Sequence, residues 1–191
     1  MTINYIKEEI NEHFNLKDKI SVQYKEIQEL SNLIINTIKK KGCIFWCGNG
    51  GSAADSQHLA AELVGRFEIN RAPIKSIALT TDTSILTAIA NDYSFEQVFK
   101  RQIQALGGKK DLLIVISTSG NSKNIIEAIK QAKKKGIQTF ALLGKSGGKI
   151  KKLVNKNIII SSNRVSRIQE MHILIGHIVS GLAERKIFKK K

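Results

Sequence analysis

The apolar positions change period several times along the chain. Between residues 3 and 41 they recur three and four apart. Leu30, Leu33, Ile34 and Ile38 form one such stripe, the signature of an amphipathic helix. The pattern is interrupted at 15–18, so a helical hairpin is expected. After residue 41 the helical period gives way to short continuous apolar runs at 43–47, 76–79, 111–116, 139–143 and 157–160. Runs of this length, bounded by glycine and polar residues, read as strands buried on both faces. Helical patterns return between them, at 52–64, 84–90, 95–106, 124–135 and, briefly, 149–154. A long helix is expected at 164–186. Gly136 follows the 124–135 pattern, where a helix C-terminus favours glycine.

Strands alternating with helices predict a doubly wound α/β fold. The expected fold is a mostly parallel five-stranded sheet with helices on both faces and an N-terminal helical hairpin. Its crossovers are right-handed. The 191 residues make one domain, 1–191, with 1–41 as a helical extension and no internal repeat. Apolar residues form 42% of the chain and aromatics only 6%, which suits an aliphatic α/β core better than an all-β one.

The net charge is +15. It sits in scattered lysine clusters at 39–41, 133–135, 149–152 and 189–191. Aromatic interleaving and zinc-finger or RNP patterns do not accompany them, so no nucleic-acid partner is expected. Solvated lysine-rich faces come first, and attraction of an anionic substrate second. Cys43 and Cys47 lie four apart in one strand, share a face, and read as buried reduced thiols. The N-terminus lacks the apolar core of a leader, and no apolar run reaches membrane-spanning length, so a cytoplasmic protein is expected, with no membrane partner.

Ligands of doubly wound sheets bind beyond the carboxyl ends of the strands. Two loops lie there, GNGGS after 43–47 and STSGNS after 111–116, and both open helices. Gly48, Gly50 and Ala53 formally match a dinucleotide fingerprint. That reading wants an acidic residue at the end of the next strand. The nearest, Asp82, comes late and follows a polar TT. STSGNS is more telling. Ser117, Thr118, Ser119 and Ser122 surround a glycine at a helix start, where free N–H groups and the helix dipole favour a terminal phosphate. Ordinary N-capping would need one hydroxyl only.

His58 and Glu62 stand at i and i+4, on one face of the helix opened by the glycine loop. A solvated pair is the ordinary reading of that spacing; the adjoining loop points toward function. A second polar set, Gln169, Glu170, His172 and His177, lies within IQEMHILIGHIV. Gln169 and His177 are separated by about 12 Å of helical rise. They must approach a shared ligand from different levels or from different subunits.

Five motifs in order, CGNGGSAADSQHLAAEL, LTTDTS, ANDYSFEQVFKRQ, ISTSGNS and RIQEMHILIGH, resemble the phosphoheptose isomerases of the sugar-isomerase (SIS) domain family. The resemblance runs from about residue 30 to 185. It implies an aldose–ketose isomerase that converts sedoheptulose 7-phosphate to D-glycero-D-manno-heptose 7-phosphate through an enediol, for surface polysaccharide. It implies Glu62 and His177 as the acid/base pair, and one zinc ion held by His58, Glu62, Gln169 and His177. It implies substrate contacts from Asn49, Gly50, Gly51, Ser52, Asn91, Asp92, Ser117, Thr118, Ser119, Ser122 and Gln169. It also implies a homotetramer with sites between subunits. Asn91 and Asp92 would otherwise read as a simple turn, and His13 and His172 stand outside the site. Ser166 occupies a position where some members carry Asp. The fold also serves non-catalytic regulators, such as a protein that binds a replication initiator. Those would not need a complete acid/base set.

Overall fold

Along each strand, alternate side chains leave on opposite faces of the sheet, and here both faces are covered. The computed structural model describes residues 2–188. Five strands, β1 (Ile44–Gly48), β2 (Ser76–Ala78), β3 (Leu112–Ser117), β4 (Gln138–Gly144) and β5 (Lys156–Ile160), are all parallel in the order β2-β1-β3-β4-β5. Every residue of β1 and β3 is buried. Ile44, Trp46, Ile114 and Phe140 face one side. They pack under α3 (Tyr24–Lys39), α4 (Gly51–Val64) and α8 (Val165–Phe188). Phe45, Cys47, Leu113 and Val115 face the other side, under α6 (Val98–Leu106) and α7 (Lys123–Lys134). The indole N–H of Trp46 is satisfied within the sheet by Ser76 Oγ at 2.9 Å.

The chain order reverses between β1 and β3. In a sheet of this order the ligand crevice opens at that switch point, above the strand ends. Both loops singled out in the sequence lie there. The strands start or stop about a residue away from the apolar runs, because main-chain pairing continues through small and polar residues. Gly48 pairs with Ile116 and Ser117 with Leu143. The 149–154 segment is shorter than expected, a 3-10 turn at Ile150–Lys152, since Gly147 and Gly148 before it both take positive φ. Residues 95–97 likewise form a 3-10 turn ahead of α6. Gly136 has φ +69, as a helix C-terminus requires.

The N-terminal extension is helical but divided twice: α1 (Thr2–Asn15), α2 (Lys17–Ser21), then α3. Leu16 and Ile20 anchor the break in the core. No residue of α1 is buried. Helix α1 is attached to the start of α8 by ion pairs, Arg164 with Glu9 and Glu12 and Arg167 with Glu9, and by a hydrogen bond between His13 and Glu170. No described helix is long and apolar enough to cross a membrane.

Near the far end of α8 a buried ion pair organises the segment that follows α4. The Glu184 carboxylate, wholly enclosed, accepts from the backbone N–H groups of Phe67, Glu68 and Ile69 at 2.8, 2.8 and 3.0 Å, and from Arg71 Nε at 2.8 Å. Arg71 in turn donates to the carbonyls of Glu62 and Leu63 at 2.8 Å, closing the last turn of α4. Breaking such a pair strands a buried charge, a loss of about 3–5 kcal/mol.

Burial alone would raise the Glu184 pKa. The three N–H groups and the Arg71 guanidinium outweigh it and hold the carboxyl below its ordinary 4.5. A depressed carboxylate contributes stability that is fully present above the unfolded value and is lost as pH falls through the lower folded one. The melting temperature of the protein is therefore expected to hold at neutral pH and to drop once the pH falls below 4.5. The acid-dependent part should be smaller in Glu184→Gln, as measured by calorimetric scans from pH 7 to 3.

Candidate active site

The first loop follows β1. Gly50 takes φ +56 with open space where a Cβ would stand, so the loop turns without a side chain over the crevice. The N–H groups of Ser52 and Ala53 are already used by the Asn49 and Gly50 carbonyls. The Ser52 side chain is buried beneath the turn. The second loop follows β3. Ser117 Oγ accepts from Gly120 N at 3.1 Å and lies 3.5 Å from Ser122 Oγ; Ser119 Oγ accepts from Asn121 N at 3.2 Å. Ser122 precedes α7, yet its hydroxyl makes no capping bond. The ordinary N-cap role is thus not what this serine performs. Thr118 is half-buried in the same loop.

The serine loop is braced from behind by the loop after β4. Gly120 has φ +65, and a Cβ there would stand 2.1 Å from the Gly147 carbonyl. Ile150 N donates to Gly120 O at 2.9 Å and Lys149 N to Asn121 Oδ1 at 3.1 Å. The two crevice loops are clipped to each other by a reciprocal amide pair. Asn49 Nδ2 donates to Asn124 Oδ1 at 3.0 Å and Asn124 Nδ2 to Asn49 Oδ1 at 2.8 Å. Asn124 was not singled out by the sequence reading. It sits just inside α7, in a position a helix tolerates for many reasons.

Helices α4 and α8 run parallel. Gly51 faces Gln169, Leu59 faces Gly176, and Phe67, just past α4, reaches Gly181. This pairing brings His58, Glu62 and His177 together. His58 Nε2 is 2.9 Å from His177 Nε2 and 3.2 Å from Glu62 Oε1. One donor atom from each of the three lies within 4.8 Å of the others. Two imidazole nitrogens turned toward each other beside a carboxylate form a set that a cation such as zinc accepts. The Phe67 ring lies stacked on the His177 imidazole, centroids 5.6 Å apart and planes 20° from parallel.

The fourth residue of the expected ligand set stands elsewhere. The Gln169 amide lies against Gly51, so close that a Cβ on Gly51 would meet its Nε2 at 2.2 Å. It borders the glycine loop, while His58 is seven residues further along α4, about 10 Å of rise. Asp55 lies between, on the same face of α4. Its carboxyl is pushed up to about 6 by burial, with His58 pulling the other way, and its buried Oδ2 has no hydrogen-bond partner.

Asn91 and Asp92 are not in a turn. α5 (Thr83–Asp92) continues through them, and Asn91 Nδ2 donates to Asp92 Oδ1 at 2.9 Å on the surface. The apolar pattern stops at Ala90, but the main-chain ladder does not. Asp82, the residue a dinucleotide site would have needed, caps α5 by accepting from Ile85 N at 2.9 Å. His172 is fully enclosed and donates from Nε2 to the Leu143 carbonyl at 3.1 Å; burial pushes its pKa down to about 4. His13 pairs with Glu170 at 2.7 Å. Both stand outside the His58 group, as expected. The lysines at 189–191 lie outside the described residues.

Comparison with known proteins shows the family. Residues 10–144 match the SIS domain family. A phosphoheptose isomerase from Sulfurimonas denitrificans is 50% identical over 187 residues, covering 96% of each chain. Among solved structures, the phosphoheptose isomerase from Neisseria gonorrhoeae superposes with a TM-score of 0.91 at 38% identity, covering 96% of this chain and 99% of that one. The enzyme from Francisella tularensis gives 0.93 at 31%, covering 97% and 99%. With its parallel sheet, its paired crevice loops and its histidine–carboxylate group, the chain belongs to the SIS domain family and, within it, to the phosphoheptose isomerases.

Proposed function

We propose that this enzyme interconverts sedoheptulose 7-phosphate and D-glycero-D-manno-heptose 7-phosphate, in the cytoplasm, as a step toward a heptose-containing surface polysaccharide. The observation that carries the reading is the convergence of His58, Glu62 and His177 on one point, in a chain whose relatives are phosphoheptose isomerases. A non-catalytic regulator of the same fold would have no use for that group.

The reaction moves a proton between C1 and C2 through an enediol. Glu62 is the carboxylate available to take the carbon-bound proton and return it to the neighbouring carbon. His177 serves the oxygens, giving a proton to the carbonyl as it becomes hydroxyl and receiving one from the adjacent hydroxyl. His58, Glu62 and His177 would hold the zinc ion, and a bound zinc would polarise the carbonyl. The Phe67 ring covers one face of His177.

The phosphate is bound at the switch-point crevice by Ser52, Ser117, Thr118, Ser119 and Ser122, with the start of α7 supplying N–H groups and dipole. The Ser122 hydroxyl, which makes no capping bond and only a long 3.5 Å contact with Ser117 Oγ, supports this. Asn49, Gly50, Gly51, Gln169, Asn91 and Asp92 are assigned to the sugar. Gln169 also serves the ion. Because it borders Gly51 rather than His177 within one chain, that double service favours a site shared between subunits. So does the exposure of the His58 side chain, 50%, on α4, with the apolar Leu174, Ile178 and Leu182 of α8 also exposed. A homotetramer would cover that face.

Four outcomes are expected. Light scattering at micromolar concentration should give close to four times the 21.2 kDa chain mass; a monomer would remove the shared-site assignment. The double variant Ser119→Ala/Ser122→Ala should bind substrate more weakly by roughly 1.5–3 kcal/mol, the worth of a hydrogen bond to a charged group. Wild-type calorimetric affinity would relocate the phosphate. Turnover should fall roughly 10²–10⁴-fold in Glu62→Gln, the share typical of acid–base catalysis, and comparably in His177→Ala. Chelation should abolish the wild-type rate and added zinc restore it. Full activity in both variants, by detection of the aldose product, would move the reacting groups away from Glu62 and His177; no aldose product from the wild-type protein would return the chain to the non-catalytic reading.

A further inference from the structure

The Arg71–Glu184 pair lies outside the reacting group, yet its bonds reach the Glu62 carbonyl and the backbone of Phe67, whose ring touches His177. Glu184 gathers the backbone N–H groups of Phe67, Glu68 and Ile69, which fixes where the Phe67 ring stands. That ring is stacked on His177. Arg71, bound to the same carboxylate, takes the carbonyl of Glu62 through Nη2 and that of Leu63 through Nη1, each at 2.8 Å. One buried carboxylate thereby ties the helix end that carries Glu62 to the aromatic ring that orients His177. Both charged side chains are all but wholly enclosed, 1% and 0% exposed. Burying an ion pair costs desolvation that a well-packed apolar pair would avoid. A pair kept for fixing geometry accounts for that expense.

We propose that Glu184 and Arg71 are positioning residues of the active site, acting through Phe67 on His177 and through the last turn of α4 on Glu62. The proposal rests on the reading of His58, Glu62 and His177 as the reacting group. An imidazole can rotate about two side-chain bonds. Stacked on Phe67 it is held with Nε2 toward His58, 2.9 Å away. Without the ring, or with the segment loosened, His177 samples other orientations and the three donors no longer converge.

The test uses Phe67→Leu, which removes the stack but keeps an apolar side chain, together with Glu184→Gln and Arg71→Lys. Two readouts are taken. Zinc affinity is measured by competition with a chromophoric chelator, and the visible bands of the cobalt-loaded protein are recorded. The imidazole ¹H–¹⁵N spectrum of His177 is recorded on metal-free protein. Affinity is expected to fall roughly 10–100-fold in Phe67→Leu, the usual effect of losing an outer-shell contact. The same His177 displacement should appear in Glu184→Gln and Arg71→Lys, with kcat reduced and KM little changed. Combining Phe67→Leu with Glu184→Gln should add little at His177, since both act on one ring.

Variants that melt earlier but keep wild-type His177 signals, cobalt bands and zinc affinity would overturn the proposal, leaving the pair a purely structural clip. If Glu184→Gln does not fold, Arg71→Lys and Phe67→Leu decide the matter alone. A wild-type protein that neither binds zinc nor turns over the sugar phosphate would sink the functional reading instead, and the metal-free His177 spectra would still judge the positioning.

Discussion

The site depends on how closely α4 and α8 can approach, and that distance is set by an absent side chain. At Gly176 a Cβ would stand 2.4 Å from the nearest carbon of Leu59. Leucine fills the place instead, and the two helices lie in parallel contact with no spacer. Everything polar at their seam follows from it. His58 and His177 can meet only because the residue before His177 has no bulk, and Gln169 can cover Gly51 only because the helices stay together over that length. A methyl group at 176 would overpack the seam, a change that usually costs about 1–3 kcal/mol. It would also part the imidazoles before the fold itself was lost.

The two ends of α4 do different chemistry with different materials. At its start the crevice is built of main chain, with glycines at positive φ, hydroxyls of a short loop, and an amide clip between Asn49 and Asn124. Such a surface suits a phosphate, which asks for many donors and little selectivity. At its far end the functional atoms are side-chain tips mounted on two regular helices, where small errors of placement matter more. The loop end is braced by the neighbouring loop at Gly147 and Gly148, the helical end by a buried ion pair and an aromatic ring.

The five strands, the covered faces and the positions of both loops were legible because burial on two faces forces apolar runs, and because glycine and serine clusters have few other uses at strand ends. The i, i+4 spacing of His58 and Glu62 was equally readable, since helix geometry alone puts them on one face. His177 was harder, bracketed by apolar residues that belong to a buried seam. Its pairing with His58 is a tertiary fact, decided by Gly176 rather than by local pattern. Phe67, Arg71 and Glu184 could not have been found that way. A lone phenylalanine after a helix, and a charge pair 113 positions apart, carry no periodic signal. The helix expected at 84–90 was ended before Asn91 and Asp92 for the converse reason. The apolar pattern ended before the hydrogen-bond ladder did.

The first helix holds a further consequence. α1 contributes no buried residue and leaves Ile3, Ile6, Ile10 and Phe14 open, while Glu9, Glu12 and His13 grip Arg164, Arg167 and Glu170. Its adhesion within the protomer is Coulombic, not hydrophobic. Added salt screens such contacts over a Debye length of about 8 Å at physiological ionic strength and less above it. Salt that strengthens the core would thus loosen this helix, and amide exchange would register α1 as a separate opening unit, uncoupled from the sheet. In one polypeptide, ionic strength acts with opposite sign on the body and on its leading segment.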